Sequence, residues 1–227
     1  MTLTSFFVFW AINPFFLAAP VAKYTLTELK EKPPTEVKDD FKKLLGDHGV
    51  RVTDKKNKPM VDIWFRKEIT KIKKPRSEDG ATLTSDIAAG TFLGVIRYHK
   101  KRRDFRDKSL KAGIYTMRYG IQPTDGDHLG VSDTRDFALL CPAEKDTRID
   151  PIAYKDLVKL STQASGTSHP NILYMISTKD RKKSGKLPAL IHDEEMELRF
   201  VDFQVNFEKE KDKGIRLGLI VVGKAPE

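Results

Sequence analysis

The sequence predicts a mainly β protein: an antiparallel β-sandwich, Ig- or jelly-roll-like, of about eight strands with two short helices. Three observations carry this expectation. Around Ile114–Ile121 the residues alternate, with Tyr115, Met117, Tyr119 and Ile121 on one face and Ile114, Thr116 and Arg118 on the other. A period of two, built from aromatic and β-branched residues, belongs to a half-buried strand. Residues 49–66 read as a hairpin, with Val61, Ile63 and Phe65 alternating against Asp62, Trp64 and Arg66 after a turn rich in Lys, Asn and Pro. Residues 196–207 carry two alternating sets, Met196/Leu198/Phe200 and Val201/Phe203/Val205/Phe207. The sets are one residue out of phase, which predicts a bulge near Phe200.

The remaining elements follow in order. Residues 23–34 look like an irregular linker. Thr35 is placed to cap a short helix whose Val37, Phe41, Leu44 and Leu45 share one face, with Gly46 ending it. After the hairpin, residues 70–90 are polar and read as a loop. Residues 92–98 form a third strand, 112–123 a fourth and 136–141 a fifth. A second helix is expected over 151–165, burying Ile152, Leu157, Leu160 and Ala164 and closing at Gly166. Strands at 171–177, 196–207 and 215–222 complete the set. The domain division is therefore 1–22 as a signal peptide, 23–48 as an N-terminal linker and helix, and 49–227 as one β-sandwich domain with a helical insertion near 151–166.

Residues 1–22 contain no charged side chain, and residues 6–12 are almost purely apolar, whereas charge is dense from Lys23 onward. An apolar run of this length suits an export signal and falls short of the roughly 20 residues a spanning helix needs. Thr2, Thr4 and Ser5 stand where the positive residues of a signal are usual, so an uncleaved anchor and a buried N-terminal strand are the competing readings. The expectation is an exported protein of the periplasm or cell envelope with no membrane span once the signal is removed. Cys141 is the single cysteine, which excludes an intramolecular disulfide. It ends an apolar run, where a cysteine serves as a small buried hydrophobe.

The net charge of +9 is concentrated. Residues 66–118 hold 15 Lys/Arg against 6 Asp/Glu, and outside that span the 26 of each sign cancel. The densest piece contains Lys100, Lys101, Arg102, Arg103 and Arg106. Such a cluster can take a polyanion, and the competing reading is a solvated loop between two strands. Phe105 is its only aromatic residue, and no nucleic-acid motif accompanies it. An exported location points away from nucleic acid and toward an anionic polymer, or a partner protein, of the envelope.

Catalytic signatures are absent from the sequence. There is no G-x-S-x-G elbow, no phosphate-binding glycine loop, no H-E-x-x-H and no C-x-x-C. Residues 122–136 gather Asp125, Asp127, His128, Asp133, Arg135 and Asp136 between two strands. Carboxylates beside an imidazole can hold a divalent metal, with His169 in a later loop as a possible fourth member. The spacing is not that of an EF-hand, since Leu129 occupies the third ligand position. The competing reading is a turn at Asp125 with a capping Asp127, and an Arg135–Asp136 pair that holds the loop.

One further pattern bears on the class. AGxYTxRYGxQPxDGxHxGV from Ala112, RDFxLL from Arg135, SGTxHP from Ser165 and WFR from Trp64 together resemble a group of exported bacterial proteins of unassigned activity. The resemblance covers roughly residues 50–175 and implies export and a β-rich fold. It brings no catalytic residue with it. Cys141 stands where that group carries an aliphatic residue, in keeping with a packing role. Function is thus expected to be that of a non-enzymatic binding or structural module, with metal binding and polyanion binding as alternatives.

Overall fold

The computed structural model describes residues 23–73, 82–104, 107–123, 135–178 and 185–224. Thirteen strands and two helices succeed one another along these segments: β1 (Thr25–Leu29), α1 (Asp39–Leu44), β2 (Gly49–Thr53), β3 (Pro59–Phe65), β4 (Glu68–Ile69), β5 (Phe92–Tyr98), β6 (Arg102–Arg103), β7 (Ser109–Leu110), β8 (Gly113–Ile121), β9 (Asp136–Pro142), α2 (Tyr154–Ser165), β10 (Ile172–Ser177), β11 (Ala189–Asp193), β12 (Leu198–Phe207) and β13 (Glu210–Val222). The mainly β class is as expected, and so are the two short helices. The eight-stranded antiparallel sandwich is not.

Instead, one sheet of ten strands runs β1-β2-β3-β5-β8-β9-β10-β13-β12-β11 and curls into a half-barrel. The eleventh strand, β4, leaves the end of β3 and pairs in parallel with β12, so the sheet is mixed. Stacking of Phe65 on Phe203, with ring centroids 4.1 Å apart, fastens the same crossing. The edge strands β1 and β11 touch. Register shifts at Val52/Thr53, Phe92/Gly94, Arg199/Phe200 and Asn206/Phe207 add to the right-handed twist that bends the sheet. Gly94 is needed at one of them, because a Cβ there would lie 2.4 Å from the Trp64 carbonyl oxygen.

The alternation read from the sequence identifies the inner face correctly. Val61, Ile63, Tyr115, Met117, Tyr119, Val201, Phe203 and Val205 belong to one apolar cluster that fills the interior. Burying a strand's apolar face satisfies the hydrophobic term whether the opposing face belongs to another sheet or to the same sheet curled round, so period two alone does not separate the two architectures. At the predicted bulge, Leu198 and Phe200 turn outward into a separate cluster with Tyr174 and Ile220, while Val201 and Phe203 turn inward.

Two covers shield the outer face. Val37, Phe41 and Leu45 pack on Trp64, Phe92 and Val95. Leu157 of α2 and Ile152 pack on Phe137, Leu139 and Cys141. Gly166 closes α2 in the left-handed conformation at φ 69°. The stretch expected to be a linker contributes an edge strand, β1, and its Leu29 is buried.

Strand directions define two ends. At one lie the start of β1, the β2–β3 turn and the residues joining β5 to β8. At the other lie the ends of β8 and the start of β9, which bound the 122–136 loop. The two conspicuous polar segments thus leave opposite ends of the barrel. Among the described residues no helix is long and apolar enough to cross a membrane.

Candidate functional site

The basic segment is more ordered than a solvated loop. β6 and β7 pair as a small hairpin, with Arg102 opposite Leu110 and Arg103 opposite Ser109. Leu110 is buried in the main apolar cluster and anchors it. The carboxylate of Asp104 accepts the Lys108 backbone N–H at 2.8 Å and shapes the turn. Tyr98 and Tyr115 meet edge to face below, at 6.3 Å between centroids. Burial pushes both hydroxyls above their ordinary pKa, and the Tyr115 hydroxyl donates to the Lys111 carbonyl at 3.0 Å.

Beside this hairpin opens a cleft of about 530 Å³, lined by Lys58 from the β2–β3 turn, by Lys100, Lys101, Arg102 and Arg103, and by Tyr24, Asp54, Pro59 and Met60. Five cations therefore face one carboxylate. That carboxylate is occupied: Asp54 accepts the backbone N–H groups of Lys58 and Lys56 at 2.9 and 2.8 Å, which hold it below the usual carboxylate range. Arg103 is tied to Asp107 at 2.9 Å. Lys58, Lys100, Lys101 and Arg102 form no ion pair among the described residues. Tyr24 at the wall has the Arg199 guanidinium 4.6 Å and the Lys55 ammonium 5.9 Å from its ring centroid. Like charges held together this way repel one another, and an anion spanning them relieves that repulsion.

The other sequence-derived candidates are described only in part. Asp125, Asp127, His128 and Arg106 lie outside the described residues. His169 is exposed, and its backbone N–H donates to the Thr167 hydroxyl at 3.2 Å. It precedes β10, away from the barrel end that bears the 122–136 loop. Arg135 donates through Nε to the Gln122 carbonyl at 2.9 Å, bracing the root of that loop. Asp136 is buried. It accepts the Tyr119 hydroxyl and, at 2.7 Å, the Leu83 backbone N–H. No group of three or more His, Cys, Asp or Glu side chains arranged to hold a metal occurs among the described residues.

Two charged constellations escaped the sequence reading. Arg118 is fully buried and donates through Nε and Nη2 to Asp146 at 2.6 and 2.8 Å, and through Nη1 to the carbonyls of Gly90 and Asp150 at 2.8 and 3.2 Å. Its last N–H goes to the Arg148 carbonyl, so all five donors are used. On the outer face, Arg51, Asp62 and Arg97 stand side by side on β2, β3 and β5. Asp62 takes Arg51 Nε at 2.7 Å, Arg97 Nε at 2.8 Å and His99 Nε2 at 2.8 Å. Burial alone would push the Asp62 carboxyl up, but hydrogen bonds from Arg51 and Arg97 and the nearby His99 hold it below the usual range. The sequence signal for both constellations was polar residues on a strand's alternate face; cross-strand register joins the Asp62 row, and the fold of residues 143–153 and 90 around β8 joins Arg118 to its partners.

No family model, curated protein or solved structure matches this chain.

Proposed function

We propose that the chain is an exported, non-enzymatic binding module whose basic cleft takes a polyanion of the cell envelope. The observation that carries this reading is the cleft at the β5–β8 end, where Lys58, Lys100, Lys101 and Arg102 stand without ion-pair partners among the described residues. Lys58 sits on the β2–β3 turn braced by Asp54, and Arg102 and Arg103 on the hairpin braced by Asp104, so the backbone that carries them is already shaped before binding. The uncharged stretch of residues 1–22 and the resemblance to exported bacterial proteins support the location. A filled barrel interior directs ligands to the surface rather than into the barrel.

The test is binding of long-chain inorganic polyphosphate as a function of salt. Five phosphate contacts give a slope of log K against log salt of about −3.5 to −4.5 by counterion release. Simultaneous replacement of Lys100, Lys101, Arg102 and Arg103 by Ala is expected to flatten that slope while melting stays unchanged. A salt-independent affinity, or a variant that binds like the parent, overturns the proposal.

A further inference from the structure

We infer that the natural occupant of the basic cleft is the anionic headgroup surface of a lipid bilayer. This rests on the proposed polyanion reading and narrows it to one class of partner. Residues 1–22 are uncharged and largely apolar, and Tyr24 lines the cleft two positions later. At no more than about 3.6 Å of chain per residue, the Tyr24 wall of the cleft is at most about 7 Å along the chain from the end of the uncharged stretch. A segment of that composition partitions into a bilayer, so a chain that retains it holds the basic end of the barrel beside the headgroups.

The chemistry of that end suits the headgroup layer. Lys100, Lys101, Arg102 and Lys58 supply cations without ion-pair partners among the described residues. Tyr24, half-buried with its ring beside Arg199, offers the amphipathic aromatic that settles at a bilayer interface. Clusters of basic residues next to an apolar segment are drawn to anionic lipid within a Debye length of the surface. The neighbouring β11–β12 turn carries Glu194, Glu195 and Glu197, all exposed, and this sets the tilt. The glutamate flank is repelled, so the lysine and arginine flank makes the contact.

The experiment uses the protein as cells process it, with its N-terminus read by intact mass. Hydrogen–deuterium exchange is followed with vesicles of phosphatidylglycerol and phosphatidylcholine, with vesicles of phosphatidylcholine alone, and with inorganic polyphosphate. The expected result is slowed exchange around Tyr24, residues 54–60 and residues 99–104 on the anionic vesicles and with polyphosphate but not on the neutral vesicles, together with about tenfold or greater loss of anionic-vesicle affinity in Lys100→Glu/Lys101→Glu. Lys155→Glu/Lys159→Glu on α2, which changes net charge equally, is expected to leave that affinity unaltered. Polyphosphate protection without protection by anionic vesicles overturns this inference and leaves the polyanion proposal standing. Protection by neither overturns both. Equal protection on neutral and anionic vesicles, or attachment with no protection of these segments, means that the apolar segment alone holds the membrane, and overturns the headgroup assignment.

Discussion

Tyr119 and Cys141 illustrate how individual side chains divide the work of the barrel. The Tyr119 ring fills the interior while its hydroxyl reaches Asp136 and the Thr84 carbonyl at the loop-bearing end. Replacement by Ala empties the ring's volume and is expected to cost about 3–5 kcal/mol in urea unfolding. Phe keeps the ring and strips a buried carboxylate of one donor, for about 1–3 kcal/mol. Equal losses for the two variants would mean that packing contributes nothing beyond the hydrogen bond. Cys141 sits on the outer face of β9 beneath α2, and burial, with the Asp146 charge nearby, pushes its thiol up to about 12. It should resist aromatic disulfide reagents at pH 8 in the folded protein and react at once in urea. Rapid labelling without denaturant would show that the helical cover opens.

Elements are joined by the two buried charge constellations. Arg118 clamps β8 to residues 146–150 and to Gly90, a position at φ 83° where a Cβ would strike the Ile152 carbonyl at 2.0 Å. Breaking the pair by Arg118→Met leaves Asp146 buried and uncompensated, for an expected loss of about 3–5 kcal/mol. Adding Asp146→Leu should recover only part of it, since three carbonyls remain without their donor; full recovery would argue that the clamp is dispensable. The Asp62 row ties β2, β3 and β5 together and carries a pH signature. Its folded pKa is held down, so its contribution is fully present above the unfolded value of about 4 and is lost as pH falls through the folded value. The melting temperature should therefore drop below about pH 4 more steeply in the parent protein than in Asp62→Asn, with parallel curves contradicting the assignment. Most elements were legible beforehand because their signal is local: alternation for β3 and β8, an apolar run for β5, a phase slip for the bulge at Arg199/Phe200, and a left-handed Gly166 for the end of α2. Strands β1, β4, β6, β7 and β11 were not, because two to five mixed residues carry no period of their own, and β4 pairs only once the sheet has curled.

At the scale of the whole molecule, curling the sheet decides what the charges do. The basic run was visible as composition, but Lys58 and Tyr24 join it only because the β2–β3 turn and the start of β1 meet the β5–β8 connection at one end. The acidic loop was visible too, and strand direction sends its roots, Gln122 and Asp136, to the opposite end. The most direct measurement compares polyphosphate affinity at about 0.1 M salt for the parent, Lys100→Glu/Lys101→Glu and Lys155→Glu/Lys159→Glu. A basic cleft at one end requires the first variant to lose about tenfold or more and the second to match the parent. Equal losses in both would mean that the protein binds through net charge alone, and the cleft would have no function as a site.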